Sequence, residues 1–237
     1  MTTSYLKRPQ GRIAYDVTGA GPLVVRVPGM GDLRSAYRFL VPLLVDPGYR
    51  IATMDLRGHG DSDTGFTEHD GSAAGSDVLA LIEELGGRAT VIGNSLGAAA
   101  GVWAAAERPD LVNGVALLGP FVRDIPVKAA IRLVMRLIVQ SLRRSEYWRE
   151  FVATTNSSHA AAEARLGQVR VPALVLMGGR DPDFPDPAAE AQLIAQRLGG
   201  GADVVMVADA GHYPQVEYPE TVGTAITALL ERVHADA

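Results

Sequence analysis

The chain has 237 residues, a length typical of one α/β domain. Hydrophobic residues make up 47% of it, the net charge is −5 and no basic stripe is present, which argues against a nucleic-acid partner. The absence of cysteine excludes disulfides, thiolate catalysis and cysteine-bound zinc. Residues 1–9 carry no apolar signal segment, and no apolar run reaches the ~20 residues of a membrane span. We therefore expect a cytoplasmic protein without a membrane span.

Short apolar runs alternate with longer helical stretches along the chain. The sequence predicts strands at residues 11–17, 23–27, 49–54, 90–93, 114–118, 173–177 and 204–207. It predicts helices at residues 35–44, from Ser72 or Ser76 to about 85, and at 96–107, 187–198 and 219–233. Strands that alternate with helices indicate a parallel sheet with helices on both faces.

Residues 121–168 interrupt this alternation. They contain no clear strand, but an apolar helical stretch at residues 129–142 is followed by Tyr147 and Trp148. Active sites of α/β sheets lie at the carboxyl ends of the strands, so an insertion between two strands predicts a helical lid over the site. The alternative is a surface helical hairpin that plays no part in binding.

The segment Gly93-Asn94-Ser95-Leu96-Gly97 follows an apolar strand and opens a helix. A nucleophile on such a sharp turn, a nucleophile elbow, needs small neighbours, which Gly93 and Gly97 supply. The turn lifts the Ser95 hydroxyl clear of the sheet and directs the Leu96 backbone N–H at a developing oxyanion. The alternative is a serine that only packs in a tight turn.

His212 lies in a loop after the last predicted strand, between Gly211 and Pro214. A serine hydroxyl is a poor nucleophile at about pH 7 and needs a base whose pKa is near neutrality, which is the range of histidine. The position of His212 therefore favours a general base over an ordinary surface histidine.

A carboxylate must hold such a histidine in one tautomer and stabilise its charged form. Asp181 directly follows the strand at 173–177 and is our first candidate. Asp124, after an earlier strand, is the alternative. We interpret Asp183 and Asp186 as turn and helix-cap residues.

Residues 27–32, Val-Pro-Gly-Met-Gly-Asp, form a glycine-rich loop after an early strand. A second N–H for an oxyanion hole is expected from the backbone of such a loop, and Met30 is the candidate donor. An ordinary strand-to-helix turn is the alternative.

Together these motifs make the chain resemble the α/β-hydrolase superfamily. The matching segments are PGMG at 28–31, DLRGHGDSD at 55–63, GNSLG at 93–97, GGRDPDF at 178–184 and AGHYPQVEYPE at 210–220. The resemblance implies a three-layer αβα sandwich with a mostly parallel eight-stranded sheet. It implies one domain over residues 1–237, with a short helical lid at 121–168.

The resemblance also implies hydrolysis through an acyl-enzyme, without a cofactor or a metal. Carried over by position, Ser95 is the nucleophile, Asp181 the acid and His212 the base of a catalytic triad. Met30 and Leu96 offer the oxyanion N–H groups. His59, in the DLRGHGDSD segment, is interpreted as structural. One departure is that the usual His-Gly start of the oxyanion loop is Pro28-Gly29 here.

The expected ligand is a small-molecule ester or a related acyl compound. Candidate substrate-binding residues form an apolar set: Phe121, Val122, Met135, Tyr147, Trp148, Phe184 and Tyr213. A carboxylesterase for small to medium acyl esters is the first hypothesis. The alternatives are a C–C bond hydrolase, lactonase, amidase or acyl transferase on the same triad, and a ligand-binding receptor on a hydrolase scaffold. Haloalkane dehalogenases and epoxide hydrolases of this fold are disfavoured, because they use an aspartate where Ser95 stands.

Overall fold

The computed structural model describes residues 2–124, 153–154 and 158–235. In these ranges the strands are β1 (Ser4–Arg8), β2 (Gly11–Thr18), β3 (Leu23–Val27), β4 (Arg50–Met54), β5 (Ala89–Asn94), β6 (Val112–Leu118), β7 (Ala173–Gly178) and β8 (Asp203–Val207). They form one eight-stranded sheet in the order β1-β2-β4-β3-β5-β6-β7-β8. Strand β2 is antiparallel to β1 and β4, and the remaining pairs are parallel.

Helices cover both faces of this sheet. In the described ranges they are α1 (Leu40–Val45), α2 (Gly71–Leu85), α3 (Leu96–Glu107), α4 (Ala160–Glu163), α5 (Pro187–Arg197), α6 (Pro214–Glu217) and α7 (Pro219–Ala235), with 3₁₀ turns at Arg34–Tyr37 and Leu166–Gln168. One hydrophobic core joins the sheet to α2, α3 and α5, and a second joins it to α1 and α7. The expected three-layer sandwich with a mostly parallel sheet is confirmed.

The central strands are buried and mostly apolar because both of their faces are covered, with Arg26 in β3 and Thr90 and Asn94 in β5 as the buried polar exceptions. Every residue of β3, β5 and β7 is buried. A strand of a parallel sheet that lies between two helix layers is expected to be apolar at successive positions, without alternation. The buried ends of β5 and β7 therefore hold the residues that follow them at a fixed place on the sheet edge.

Each predicted strand is found within two residues of its expected bounds. Strand β1 was not predicted. Helix α2 begins at Gly71, because the Asp70 side chain accepts the Ala73 N–H at 2.9 Å, so the predicted starts at Ser72 or Ser76 are wrong. The predicted helix at 35–44 is divided into a 3₁₀ turn and α1. Pro42 has no N–H to donate to the preceding turn, which explains the division.

Most of the predicted lid lies outside the described residues. This applies to residues 125–152 and 155–157, and hence to the helical stretch at 129–142 and to Met135, Tyr147 and Trp148. The described remainder of the segment contains α4 and the 3₁₀ turn at Leu166–Gln168, both of which pack near α3. The lid and the single-domain boundaries remain predictions. Within the described ranges, no helix has the length and apolar character needed to cross a membrane.

Candidate active site

Ser95 stands between the end of β5 and the start of α3. Its backbone has φ 53° and ψ −117°, and no other non-glycine residue in the described ranges has a positive φ. The Ser95 N–H donates to Leu118 O at 3.0 Å, and its carbonyl accepts the Ala98 N–H at 3.0 Å. A strained conformation fixed from both sides is typical of a nucleophile elbow.

The elbow leaves no space for side chains on either side of Ser95. A Cβ atom at Gly93 would lie 2.1 Å from Gly97 O, and one at Gly97 would lie 2.3 Å from Val27 O. These distances agree with the steric argument made from the sequence. The contact with Val27 also packs the elbow directly against the start of the glycine-rich loop.

Asp181 and His212 meet at the neighbouring strand ends. The Asp181 Oδ2 atom lies 2.8 Å from His212 Nδ1, and the Asp181 side chain is fully buried whereas that of His212 is slightly exposed. Asp181 follows β7, and His212 follows β8 in the loop before α6. The Asp183 N–H donates to Asp181 Oδ1 at 3.0 Å and so fixes the carboxylate. Histidine Nε2 is thereby left for a second partner.

Asp183 lies closer to the histidine than the sequence indicated. Its Oδ2 atom is 3.5 Å from His212 Nδ1, although its side chain is 41% exposed. Asp186 caps α5 by accepting the Ala189 N–H, as predicted. The carboxylate of Asp124, the alternative acid, accepts hydrogen bonds from Ser158 and His159 instead.

Asn94, for which the sequence indicated no role, connects the two halves of the site. Its side chain is completely buried, and Nδ2 donates to Leu118 O at 3.0 Å and to His212 O at 3.2 Å. The residue before the serine thus holds the loop that carries the histidine. No local sequence signal marks a contact across 118 positions.

The glycine-rich loop and the start of α3 each supply an unoccupied backbone donor. Among the residues that the structure describes, the N–H groups of Met30 and Leu96 donate to no protein acceptor. Buried backbone N–H groups are normally paired with an acceptor. Two unpaired N–H groups beside a nucleophile are therefore candidates for an oxyanion hole.

Asp32 adds a carboxyl group that the sequence reasoning did not assign. Its Oδ2 atom is buried without a hydrogen-bond partner in the described structure, and it lies 3.4 Å from the position that a Cβ at Gly29 would take. Ser95 Cβ lies 3.1 Å from the same position. Burial raises the pKa of Asp32 to about 6, although the charge of His212 opposes the shift.

The pKa of His212 is set by opposing effects. Burial lowers this pKa, but the hydrogen bond that His212 donates to Asp181 and the charges of Asp181, Asp183 and Asp32 raise it by more, so that it lies above the usual 6.5. A base needs the neutral ring, which is the major form only when the pH is above this raised pKa.

Aromatic side chains surround the histidine. The Phe121 ring lies 4.9 Å from Phe184 and 5.6 Å, edge-on, from His212. Tyr213, which is 37% exposed, lies edge-on to His212 at 5.1 Å. Val122 is completely buried within the hydrophobic core, so the structure does not place it on an open surface. Phe121 and Tyr213 are the described candidates that border the site.

Asp181, Asp183 and His212 also form a group of potential metal ligands, with one atom of each within 4.8 Å of the others. The spacing of these residues in the sequence did not predict such a group. Asp181 Oδ2 and His212 Nδ1 already engage each other at hydrogen-bond distance. This hydrogen bond accounts for the closeness of Asp181 and His212.

Comparisons with known proteins agree with this architecture. The sequence profile of the Alpha/beta hydrolase family matches residues 24–225, so the chain belongs to the Alpha/beta hydrolase family. The expected superfamily is therefore confirmed.

Individual relatives have different activities. A Petunia hybrida protein named karrikin insensitive 2 receptor IA is 27% identical and covers 94% of this chain and 95% of its own length. A Mesorhizobium japonicum 2-(acetamidomethylene)succinate hydrolase is 39% identical over 44% of this chain and 38% of its own. A thermophilic esterase from Thermogutta terrifontis has a TM-score of 0.80 at 23% identity, covering 99% of this chain and 100% of its own. That last likeness shows the fold alone.

Proposed function

We propose that this protein is a serine hydrolase that needs no cofactor, acting as a carboxylesterase on small to medium acyl esters. One observation carries the proposal. A strained serine follows β5, and the Asp181–His212 pair follows β7 and β8. All three residues therefore lie at the carboxyl ends of parallel strands of the same sheet. Nucleophile, base and acid follow in the chain order of α/β-hydrolases.

In the proposed reaction, Ser95 Oγ attacks the ester carbonyl and transfers its proton to His212 Nε2. The carbonyl oxygen becomes an oxyanion that accepts hydrogen bonds from the N–H groups of Met30 and Leu96. The tetrahedral intermediate expels the alcohol, which takes the proton from His212, and an acyl-enzyme remains. Water then attacks the acyl group, with His212 again as base, and releases the carboxylic acid and Ser95.

The closest rival to this proposal is a ligand-binding receptor on the same scaffold. The likeness to the Petunia receptor over most of both chains is the observation in its favour. The intact Ser95, Asp181 and His212 favour an enzyme. The two functions differ in a simple measurement, because a receptor without activity binds its ligand but releases no product.

p-Nitrophenyl acetate, butyrate and octanoate test the proposal, with S95A as the matched control. Multiple turnovers by the wild type that S95A lacks would support the esterase. Binding without turnover would support the receptor. If only lactones, amides or C–C substrates were hydrolysed in a Ser95-dependent way, the related hydrolase would be the correct assignment and the ester specificity would be wrong.

The dependence of kcat/KM on pH provides a prediction about His212. Only the neutral ring accepts the serine proton, and its pKa is raised. We expect kcat/KM to fall as the pH drops through a midpoint above 6.5, and to stay high at more alkaline pH. EDTA is expected to leave the whole profile unchanged. Activity that rises toward acid pH, or that EDTA abolishes, would contradict the proposed mechanism.

Asp32→Asn provides a separate electrostatic prediction. The negative charge of Asp32 raises the pKa of His212, and an amide removes that charge. We expect the acid limb of kcat/KM to move to lower pH, and by less than the loss of the Asp181 charge would move it, since Asp32 is a smaller contributor than Asp181. An unchanged midpoint, measured in the same buffers as the wild type, would show that Asp32 does not act on the histidine.

A further inference from the structure

The oxyanion loop is a tight turn with a defined geometry. The Asp32 N–H donates to Gly29 O at 3.1 Å, and Gly31 has φ +82° whereas Met30 has a negative φ. A hydrogen-bonded turn with a positive φ at its third residue only is type II, and it needs glycine there. The loop begins with Pro28-Gly29, so it contains no histidine of its own.

A histidine from another loop contacts this turn. His59, in the loop after β4, is completely buried, and its Nε2 atom accepts the Gly31 N–H at 3.0 Å. Its Nδ1 atom lies 2.8 Å from Arg57 O. An amide N–H only donates and a carbonyl only accepts, so the ring must be neutral, with its proton on Nδ1. The contact therefore has a definite direction.

The same loop contacts the oxyanion segment a second time. The Asp55 carboxylate accepts the Arg34 N–H at 2.9 Å and the Asp61 N–H at 3.1 Å. Residues 55–61 are thus joined to the chain at Gly31 and at Arg34, just beyond the turn. Of these two contacts, the one with Gly31 is made next to the candidate oxyanion donor.

The position of this contact determines what it can affect. Met30 lies between two peptide groups, and the Gly31 N–H belongs to the second of them. Types I and II differ by rotation of this second peptide group, whereas the Met30 N–H belongs to the first. The bond from Gly31 to His59 anchors the turn as a whole. Its loss therefore lets the turn, and the Met30 N–H with it, move away from Ser95. A displaced donor no longer meets the oxyanion at the distance that stabilisation requires.

We propose that His59 is a positioning residue that holds the Met30 N–H in the oxyanion hole through its hydrogen bond to Gly31. This inference rests on the proposed function, since it assigns the donor a role in ester hydrolysis. It goes beyond the structural role that the sequence indicated, because it predicts an effect on the transition state and not only on stability.

Two variants separate these roles. H59N keeps a short amide that can reach Arg57 O but not Gly31, whereas the longer side chain of H59Q can present an oxygen to the Gly31 N–H. We expect H59N to lower kcat by up to ~100-fold, near the loss caused by removing one oxyanion donor. KM should change by less than about threefold, because the lost contact acts in the transition state. We expect H59Q to recover kcat to within about fivefold of the wild type.

The control is H234N, which replaces a partly buried histidine on α7 whose ring lies 5.8 Å from the Tyr49 ring. It should leave kcat unchanged even if the melting temperature falls. The proposal is overturned if H59N retains kcat within about threefold, or if H59N and H59Q lose kcat equally.

A measurement without turnover distinguishes this proposal from the proposed function. In ¹⁵N-histidine NMR spectra, the signal lost in H59Q should belong to a neutral ring protonated on Nδ1. A charged ring, or one protonated on Nε2, would overturn the contact with Gly31. Suppose that the wild type and S95A are equally inactive on every ester while this NMR result is obtained. The proposed function would then be wrong, and the hydrogen bond between His59 and Gly31 would be supported. The role of that bond in catalysis would be refuted.

Discussion

Ser95→Ala is expected to lower ester turnover by ~10⁴- to 10⁶-fold, because the hydroxyl alone forms the acyl-enzyme. The measurement is kcat on the best p-nitrophenyl ester, together with stoichiometric labelling by a phosphonate, which S95A should not undergo. Ser95 sits where β5 ends and α3 begins, and its main chain makes the hydrogen bonds described above. Alanine keeps those bonds, so the variant should fold like the wild type.

A matched variant separates catalysis from strain. Ser95 has φ 53°, a conformation that costs ~1–3 kcal/mol for a residue with a side chain. Alanine has the same Cβ and keeps this strain, whereas S95G relieves it. We expect S95G to be as inactive as S95A. Its free energy of unfolding, measured with urea, should exceed that of S95A by about 1 kcal/mol. Retention of more than about a tenth of wild-type turnover by either variant would mean that Ser95 is not the nucleophile.

The order of the secondary structure could be predicted from local patterns because the central strands and the helices have distinct ones. β3, β5 and β7 are mostly apolar runs in which every residue is buried, and the alanine-rich segment before Glu107 is helical throughout. Strand β1 was missed, since it is a short edge strand with one fully buried side chain, Leu6, among polar neighbours. Edge strands face solvent and therefore lack the continuous pattern of central ones.

The site could be predicted in part for a similar reason. Ser95, Asp181 and His212 each follow a strand and lie near small or turn residues, which are local signals. Asn94 and His59 act through backbone groups that are far away in the sequence, at His212 O and at the Gly31 N–H. Such contacts depend on how loops meet at the sheet edge, and no spacing rule encodes them.

Asp181→Asn is expected to lower kcat/KM by up to ~10⁴-fold, because an amide does not stabilise the charged ring and holds the wrong tautomer. Asp181 Oδ2 lies 2.8 Å from His212 Nδ1, and the Asp181 side chain is fully buried. No water competes for such a contact, so its loss should not be compensated. The measurement is kcat/KM on the same ester, with D124N as a control that should behave like the wild type.

Asp183→Asn is the sharper comparison, since Asp183 lies on the same side of the ring. Its oxygen is 3.5 Å from Nδ1, and its side chain is 41% exposed, so water can take its place. We expect D183N to lower kcat/KM at alkaline pH by less than about tenfold. Its charge helps to raise the pKa of His212, so the acid limb should move to lower pH. If D183N or D124N were the damaging change and D181N were mild, the acid of the triad would be the other aspartate, and the 2.8 Å contact would be structural only.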